Sequence, residues 1–291
     1  MRALPPALRT WIHEHFGACD SVCFCGWDHA ASAVWELRAG ERRAFCKAHR
    51  QRRKFLQEST ALREWGPQLD RVPRLLAVRH ERPHALLLTA LPGAIACHLT
   101  LSAEGACQLH RRAGAWLARL HALPVTDDDP LPLGQALRQR AAAWIDRSAD
   151  LLDGDTRAWV ASQAAALDRL DGTARVPCHR DYSPRNWLIE PAVPDSYDLA
   201  VIDFEHAQMD WWLQDCDRLR GEWWVGRPEL ERAFYAGYGR RPDANEQTLA
   251  GVLGAINALS TVVWGHQHGD QLFARAGRER LYALRQQARS S

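Results

Sequence analysis

The stretch CHRDYSPRNW, residues 178–187, decides the fold of this chain together with VIDFE at residues 201–205. It places the carboxylate of Asp181 and the amide of Asn186 five residues apart, and Asp203 adds a second carboxylate downstream. Transfer of a phosphoryl group to a hydroxyl needs a carboxylate near the acceptor and oxygen ligands that hold Mg²⁺ against the phosphates. These three residues supply both kinds of group, so the two segments predict a phosphoryl-transfer centre.

The residues between Asn186 and Asp203 predict a β-hairpin. Residues 187–190 and 199–204 form two apolar runs, and a loop that contains proline separates them. An antiparallel pair of strands brings its open end together, so Asn186 and Asp203 should lie side by side. Asp181 lies one loop earlier, within reach of an acceptor hydroxyl. Each aspartate alone could instead be a turn or capping residue, but the combined spacing favours the catalytic interpretation.

This pattern resembles the signature of the aminoglycoside phosphotransferase and choline kinase family, which is His-x-Asp-x-x-x-x-Asn followed by an apolar strand that ends in Asp. The residues that match it are His179, Asp181, Asn186 and Asp203. Protein kinases share the His-Arg-Asp element, but they have glycine where this chain has Glu205. The resemblance implies an α+β, protein-kinase-like bilobal fold. A small β-rich amino-terminal lobe would span residues 1–93, and a larger, mainly helical lobe would span residues 94–291.

The resemblance also implies a role for each residue of the centre. Asp181 would accept the proton of the acceptor hydroxyl, while Asn186 and Asp203 would bind Mg²⁺. His179 would support the loop that carries Asp181. Asp217, further along the chain, would be the buried carboxylate that braces this loop, with a place on a helix surface as the alternative.

The upstream half of the chain contains a lysine and a glutamate in the order that this fold requires. Residues 43–47 form a short apolar strand that ends in Lys47, and residues 57–65 have helical periodicity and include Glu58. By the resemblance, Lys47 contacts the phosphates of the nucleotide and Glu58 orients Lys47. A surface lysine and an ordinary helix glutamate are the alternative.

Lysine is rare in this chain, which holds only Lys47 and Lys54 against 35 arginines. Lys54 belongs to a basic cluster that consists of Arg42, Arg43, Lys47, Arg50, Arg52, Arg53 and Lys54. The cluster is interpreted as the solvated start of the helix that carries Glu58. Attraction of a polyphosphate is the alternative.

The strand that leads out of the first lobe is expected within residues 84–93. By residue-by-residue match with the family, the backbone of Thr89 and Leu91 would face the adenine edge of the nucleotide, with Leu88 behind it. A buried strand that ends in a turn is the alternative. The loop Gly26–Ser32 would cover the phosphates, although it holds one glycine and an ordinary hairpin loop is an equal alternative.

The remainder of the chain is predicted to be mainly helical. Apolar residues at helical spacing predict helices over residues 101–123, 137–152, 157–170, 211–224, 228–238, 245–268 and 271–285. The family builds its acceptor pocket from the carboxy-terminal part, so the pocket is predicted to include Trp212, Trp224, Trp264, His268 and Asp270. Residues 205–291 hold eleven acidic residues and eleven arginines, a balance that favours stacking on aromatic rings over attraction of a polycation. Core packing of the tryptophans and a metal site at His266, His268 and Asp270 are the alternatives.

Composition narrows the class of protein. A net charge of +2 gives no electrostatic reason to expect a nucleic-acid or membrane partner. The amino terminus lacks the unbroken apolar run of a signal peptide, and no segment approaches the roughly eighteen apolar residues of a membrane span, so a cytoplasmic protein is expected. The eight cysteines lack the paired spacing of a zinc site, so reduced thiols are expected.

We therefore expect an ATP-dependent O-phosphotransferase that uses Mg²⁺, with GTP as an alternative donor. The expected acceptor is a hydroxyl of a small-molecule antibiotic of aminoglycoside or nucleoside type, so that phosphorylation confers resistance. One alternative is a metabolic kinase for choline, homoserine or a sugar. A nucleotide-binding pseudokinase is the other, and it is disfavoured because every catalytic position is filled.

Overall fold

The amino-terminal lobe is built on one antiparallel sheet of five strands. The computed structural model describes residues 3–26, 32–193 and 196–290 of the chain. The strands lie in the order β1, β2, β3, β5, β4, and neighbours are antiparallel throughout. Their bounds are β1 (Ser21–Phe24), β2 (Ser32–Ala39), β3 (Arg42–His49), β4 (Leu75–Arg79) and β5 (His84–Thr89).

Two helices cover the two faces of this sheet. Because side chains alternate along a strand, Leu87 of β5 joins one core with helix α1 (Pro6–Phe16), while Leu86 joins another with Phe55 of helix α2 (Arg52–Glu64). The sequence analysis does not predict α1. It does predict α2, from the helical spacing over residues 57–65 and the basic start before it.

The chain leaves the amino-terminal lobe through Gly93. This residue has φ +104°, and a Cβ atom there would lie 2.6 Å from the carbonyl oxygen of Ile189. Only glycine fits both the backbone angle and the space. A boundary between the lobes after residue 93 stays a prediction of the sequence.

The carboxy-terminal lobe is mainly helical, as the sequence predicts. Its helices are α3 (Ala103–His121), α4 (Leu133–Arg147), α5 (Gly154–Ala164), α6 (Pro228–Tyr238), α7 (Ala244–His268) and α8 (Gln271–Ser290). A 3₁₀ helix at Ala165–Leu170 continues α5, where the sequence analysis expects a single helix. Two small antiparallel sheets complete the lobe: β6 (Ala94–Ile95) with β8 (Trp187–Val193) and β9 (Ser196–Val201), and β7 (Val176–Cys178) with β10 (Gln208–Asp210).

One predicted helix, over residues 211–224, is wrong. The segment instead forms a 3₁₀ turn at Trp212–Gln214 and a π-helical turn at Leu219–Trp223. Its start is anchored by side chains rather than by a continuous helix, because the backbone N–H of Trp211 donates to the carboxylate of Asp210 at 2.8 Å. The many apolar residues of this segment are buried among several elements, so their spacing resembles a helix without forming one.

The most apolar helix of the described chain is a core helix. By length and composition, α7 is the one helix among the described residues that could cross a membrane, and 67% of its most apolar window is buried inside the protein. It packs against α4, α5 and α8. Its hydrophobic surface is therefore accounted for by the fold.

Two glycines allow helices α3 and α6 to cross closely. A Cβ atom at Gly114 would lie 2.0 Å from the carbonyl oxygen of Phe234, and one at Gly237 would lie 1.8 Å from the carbonyl oxygen of Arg111. Both distances are far below van der Waals contact. Any side chain at either position must push the two helices apart.

Replacement of these glycines should destabilise the protein. We expect Gly114→Ala and Gly237→Ala each to lower the free energy of unfolding by about 1–3 kcal/mol or more, because the backbones must separate. Gly251→Ala in α7 is the matched control, since nothing lies within 4 Å of its Cβ position. It should raise stability by roughly 0.5–1 kcal/mol through helix propensity. Urea denaturation measures all three, and equal small effects would contradict the close crossing.

Candidate active site

The hairpin of β8 and β9 brings Asn186 and Asp203 together at its open end. Trp187 lies opposite Val201, and the backbone N–H of Ile202 donates to the carbonyl oxygen of Asn186 at 3.0 Å. The hairpin therefore lies where the sequence predicts it. Asp203 has φ 70°, a left-handed conformation that is uncommon for a residue other than glycine. Such conformations cluster at functional sites.

Asn186 also holds the carboxylate of Asp181. Its Nδ2 donates to the backbone oxygen of Asp181 at 2.8 Å and to Oδ2 of the same residue at 2.9 Å. The amide nitrogen is thus committed to Asp181, and the amide oxygen is the atom that a cation can use. Together with the carboxylate of Asp203, it forms the all-oxygen donor set that Mg²⁺ prefers.

His179 ties the same loop to the end of β9. It is fully buried, its Nε2 donates to the carbonyl oxygen of Ile202 at 2.9 Å, and its Nδ1 accepts the N–H of Asp181 at 3.3 Å. These two partners require a neutral ring with its proton on Nε2. The ring therefore fixes the position of Asp181 relative to Asp203.

Asp215 braces the loop, in the role that the sequence analysis gives to Asp217. Its carboxylate accepts the backbone N–H groups of His179, at 2.9 Å, and of Arg180, and it bonds Nε2 of His121 at 3.0 Å. It is 1% exposed. Arg180 has φ 63°, so the bonds of Asp215 hold the loop in a left-handed turn.

Asp217 has a different partner, so its predicted role is corrected. Its carboxylate pairs with the guanidinium of Arg280 at 2.6 Å, on α8. The two aspartates are separated by one residue, and spacing alone could not distinguish them. The feature that favours Asp215 over Asp217 is that the residues around Asp215 are buried, as is typical of a carboxylate enclosed in the core.

Lys47 lies among three carboxylates. Its Nζ is 2.8 Å from Oε2 of Glu58, 2.7 Å from Oδ1 of Asp203 and 3.2 Å from Oε2 of Glu205. Burial disfavours the charge on Lys47, but Asp203, Glu58 and Glu205 outweigh burial and raise its pKa well above 10.5. The side chain therefore stays protonated, as a phosphate ligand must be.

Glu58 is the buried partner of Lys47. It is 1% exposed, and it also lies 3.1 Å from Nε2 of His49. Burial alone would raise its pKa, but Lys47 and His49 stabilise the carboxylate and lower the pKa to about 2. Glu58 is thus ionised at every physiological pH. The strand β3 and the helix α2 that the sequence predicts are the elements that position this pair.

Lys54 belongs to the site, which corrects its interpretation as part of the solvated start of α2. Its Nζ lies 3.0 Å from Oε1 of Glu205 and also contacts the ring of His206. Oε2 of Glu205 accepts a hydrogen bond from the hydroxyl of Ser32 at 2.9 Å. The sequence analysis assigns no site role to Glu205, His206 or Lys54. The rarity of lysine is the one signal that could have singled out Lys54.

Arg218 is a further residue of the site that the sequence analysis does not identify. Its Nε bonds Oδ1 of Asp181, and its Nη1 lies 3.4 Å from Oε1 of Glu222. Burial raises the pKa of Asp181, but Arg218, followed by His206, outweighs burial and holds the pKa below its usual 3.8. Asp181 is therefore ionised at neutral pH.

Part of the backbone that is predicted to face the nucleobase is already hydrogen-bonded within the protein. The backbone N–H of Thr89 donates to the carbonyl oxygen of Arg74 at 3.0 Å, and its hydroxyl accepts from the N–H of Arg74 at 2.9 Å. The backbone N–H of Thr89 is therefore not available to a nucleobase while this bond is made. Leu88 is 6% exposed in the core, and Leu91 is half-buried two residues after the strand. Of the predicted phosphate-covering loop Gly26–Ser32, residues 27–31 lie outside the described residues.

Two tryptophans of the predicted acceptor pocket lie in the core instead. Trp212 and Trp224 are each 5% exposed. Trp212 stacks on Tyr238 and donates from Nε1 to Glu246 at 2.9 Å, while Trp224 packs against the ring of Phe234. Their rings are covered on the faces that a ligand would need, so the core alternative holds for both.

The other predicted pocket residues form a group with Phe273, whose ring faces Arg218. Trp264 is half-buried and stacks on His268 with ring centroids 4.1 Å apart, and its edge meets Phe273. The guanidinium of Arg218 lies 5.7 Å from the centroid of Phe273. The carboxylate of Asp270 accepts the backbone N–H of Phe273 at 2.9 Å at the start of α8. The structure thus connects this aromatic group to Asp181 through Arg218.

Two clusters of nitrogen, sulfur and oxygen atoms could hold a metal by their spacing, but contacts within the protein explain them. Among the described residues, the groups whose ligand atoms converge are His121, Cys178 and Asp215, and His49, Glu58 and Glu205, so the alternative at His266–Asp270 finds no support. The first group is hydrogen-bonded internally, and burial raises the pKa of the Cys178 thiol well above its usual range. All eight cysteines are free thiols in the structure.

The comparisons with known proteins show a phosphotransferase with a kinase-like fold. Residues 25–252 match the family model described as the phosphotransferase enzyme family, APH. The chain belongs to this family, which confirms the resemblance found in its sequence. No curated protein sequence matches the chain.

Solved structures of antibiotic phosphotransferases share the fold. The GDP and kanamycin complex of APH(2")-IIia is 15% identical with a TM-score of 0.78, and the match covers 97% of this chain and 99% of that chain. The macrolide 2'-phosphotransferase MphH from Brachybacterium faecium is 18% identical with a TM-score of 0.64, over 94% and 96% of the two chains. These matches confirm the bilobal α+β fold.

The bracing role of Asp215 can be separated from that of Asp217. We expect Asp215→Asn to lower the free energy of unfolding by about 3 kcal/mol, because one carboxylate oxygen becomes an N–H donor that faces backbone donors in a buried site. Asp217→Asn should cost only about 1 kcal/mol, since Arg280 is a partly exposed partner. Chemical denaturation and turnover measure both variants. A larger loss from Asp217→Asn would return the bracing role to that residue.

Proposed function

We propose that the protein is an ATP-dependent O-phosphotransferase that transfers the γ-phosphoryl group to a hydroxyl of a small-molecule antibiotic. The observation that carries the proposal is the convergence of Asp181, Asn186 and Asp203 at one end of the β8–β9 hairpin, opposite Lys47. GTP is an alternative donor, because solved relatives include complexes with GDP, ADP and ATP.

The roles follow from the chemistry of each side chain. Asp181 is ionised and accepts the proton of the acceptor hydroxyl. The hydroxyl oxygen forms a bond to the γ-phosphorus while the bond from that phosphorus to the β–γ bridging oxygen breaks, and ADP leaves. Lys47 holds the phosphates, with Glu58 behind it. Asn186 and Asp203 would hold Mg²⁺, which neutralises charge on the phosphates when it is bound.

The charges around Asp181 favour an acceptor that is not a polycation. Glu222 pairs with Arg218 and with Arg185, and Asp217 pairs with Arg280. A ligand with several ammonium groups needs carboxylates that have no such partner. Neutral or weakly charged antibiotics with a sugar hydroxyl, of macrolide or nucleoside type, are therefore the better candidates. The aromatic group of Trp264, His268 and Phe273 offers a surface on which a sugar or base can stack.

A panel of acceptors tests this function directly. The purified protein should consume ATP in the presence of Mg²⁺ and at least one macrolide or nucleoside antibiotic, and mass spectrometry should find the product heavier by one phosphoryl group. Kanamycin serves as the polycationic comparison, and choline, homoserine and simple sugars serve as metabolic comparisons. Clear activity only on choline or homoserine would replace the antibiotic assignment with a metabolic kinase. Binding of nucleotide without any transfer would indicate a pseudokinase.

The base can be tested by a change that keeps its shape. Asp181→Asn removes the proton acceptor, so kcat should fall by a factor on the order of 10² to 10⁴ while nucleotide affinity changes little. Steady-state kinetics and calorimetric titration of nucleotide separate the two effects. Near-normal turnover would remove Asp181 from the mechanism.

The pH profile tests the ion pair of Asp181 with Arg218. In the wild type, the acid limb of kcat/KM should lie below the ordinary range of an aspartate carboxyl, since the pKa of Asp181 is lowered and the base stays ionised above it. In Arg218→Gln the opposing effect of burial remains, so the pKa should rise and the acid limb should move to higher pH. Arg220→Gln is the control, because Arg220 faces Glu231 instead. An unshifted limb in Arg218→Gln would contradict the pairing.

A further inference from the structure

Three carboxylates surround the ammonium group of Lys47 in this structure, and that of Asp203 accepts a hydrogen bond from it. An ammonium group has three donors, and three carboxylate oxygens, from Glu58, Asp203 and Glu205, lie within 3.2 Å of its Nζ. To hold the phosphates of a nucleotide, Lys47 must give up some of these contacts. Glu58 is buried behind Lys47 and stays, and Asp203 has Mg²⁺ as its proposed partner. The contact with Glu205 is the one that needs another cation.

Lys54 is positioned to be that cation. Its side chain is 15% exposed, that of Glu205 is 11% exposed, and their charged atoms are 3.0 Å apart. Without Lys54, the nearly buried carboxylate of Glu205 would have Lys47 as its closest cation, and a buried charge binds its remaining partner tightly. The hydroxyl of Ser32 supplies only a neutral hydrogen bond to Glu205.

Helix α2 presents Lys54 and Glu58 to the site from one face. The two residues are four positions apart, so they lie one above the other on the helix surface. The helix thereby gives a cation to Glu205 and an anion to Lys47, while Asp203 has Lys47 of β3 as its cation. The neighbouring residue Arg53 is exposed and offers a matched control.

We propose that Lys54 is a positioning residue for nucleotide binding, which neutralises Glu205 and so leaves Lys47 free to contact the phosphates. This inference rests on the proposed function, because it assumes that the site binds a nucleotide. It assigns Lys54 no contact with the reacting atoms. Its effect reaches the nucleotide through Glu205 and Lys47.

A double-mutant cycle tests the proposal in the full-length protein. Dissociation constants for a non-hydrolysable ATP analogue with Mg²⁺ would be measured by calorimetry for the wild type, Lys54→Met, Glu205→Gln and the double variant. We expect Lys54→Met to weaken binding about tenfold or more, because Glu205 then retains Lys47. In the Glu205→Gln background, the same change should have an effect below about threefold, since no charge remains to hold Lys47. Arg53→Met should bind as the wild type does.

Adenosine distinguishes this role from simple structural damage. It has no phosphates, so Lys54→Met should bind adenosine as the wild type does while it binds the ATP analogue weakly. Equal loss for both ligands would overturn the proposal, and so would equal effects of Lys54→Met with and without Glu205→Gln. If Lys54→Met does not fold, Lys54→Gln takes its place in the same cycle. A wild type that binds no nucleotide would overturn the proposed function as well, whereas normal wild-type binding with a silent Lys54→Met overturns this inference alone.

Discussion

One buried carboxylate holds the catalytic loop in place. Asp215 accepts two consecutive backbone N–H groups, from His179 and Arg180, and a third contact comes from His121. These bonds stabilise a left-handed turn at Arg180 that the chain would otherwise disfavour. Because the turn sets the direction of the next residue, the position of Asp181 depends on a side chain that is itself buried in the core. The rest of the site is arranged around this fixed point.

The second organising feature is the balance of charge in the cleft between the lobes. Lys47 and Lys54 face three carboxylates, those of Glu58, Asp203 and Glu205. Such a cluster is expensive to bury unless each charge has partners, and here each one does. The cluster also joins the lobes, because the lysines and Glu58 belong to the first lobe while the other two carboxylates follow β9. A ligand that enters must exchange these contacts for its own, which makes the site responsive to charge.

Sequence reasoning identifies the parts of the site that a local pattern encodes. The hairpin that joins Asn186 to Asp203 can be predicted because two apolar runs and a loop that contains proline define it. Lys47 can be predicted because a short apolar strand ends there. The bracing role is predicted for Asp217 instead of Asp215 because a single residue separates the two aspartates. Only their partners, which lie far away in the sequence, distinguish them. Lys54 and Arg218 are not predicted as site residues for the same reason. The partner of each lies in a segment more than thirty residues away in the chain. Trp212 and Trp224 show the converse error, since composition cannot tell a buried ring from a pocket wall.

The two bonds from Nδ2 of Asn186 to Asp181 couple the base to the metal site. Under the proposed roles, one planar amide would hold the metal through its oxygen and the base through its nitrogen. The two ends of a planar amide cannot be oriented independently of each other. A substitution of Asn186 would therefore disturb two functions at once, the retention of the metal and the orientation of the proton acceptor.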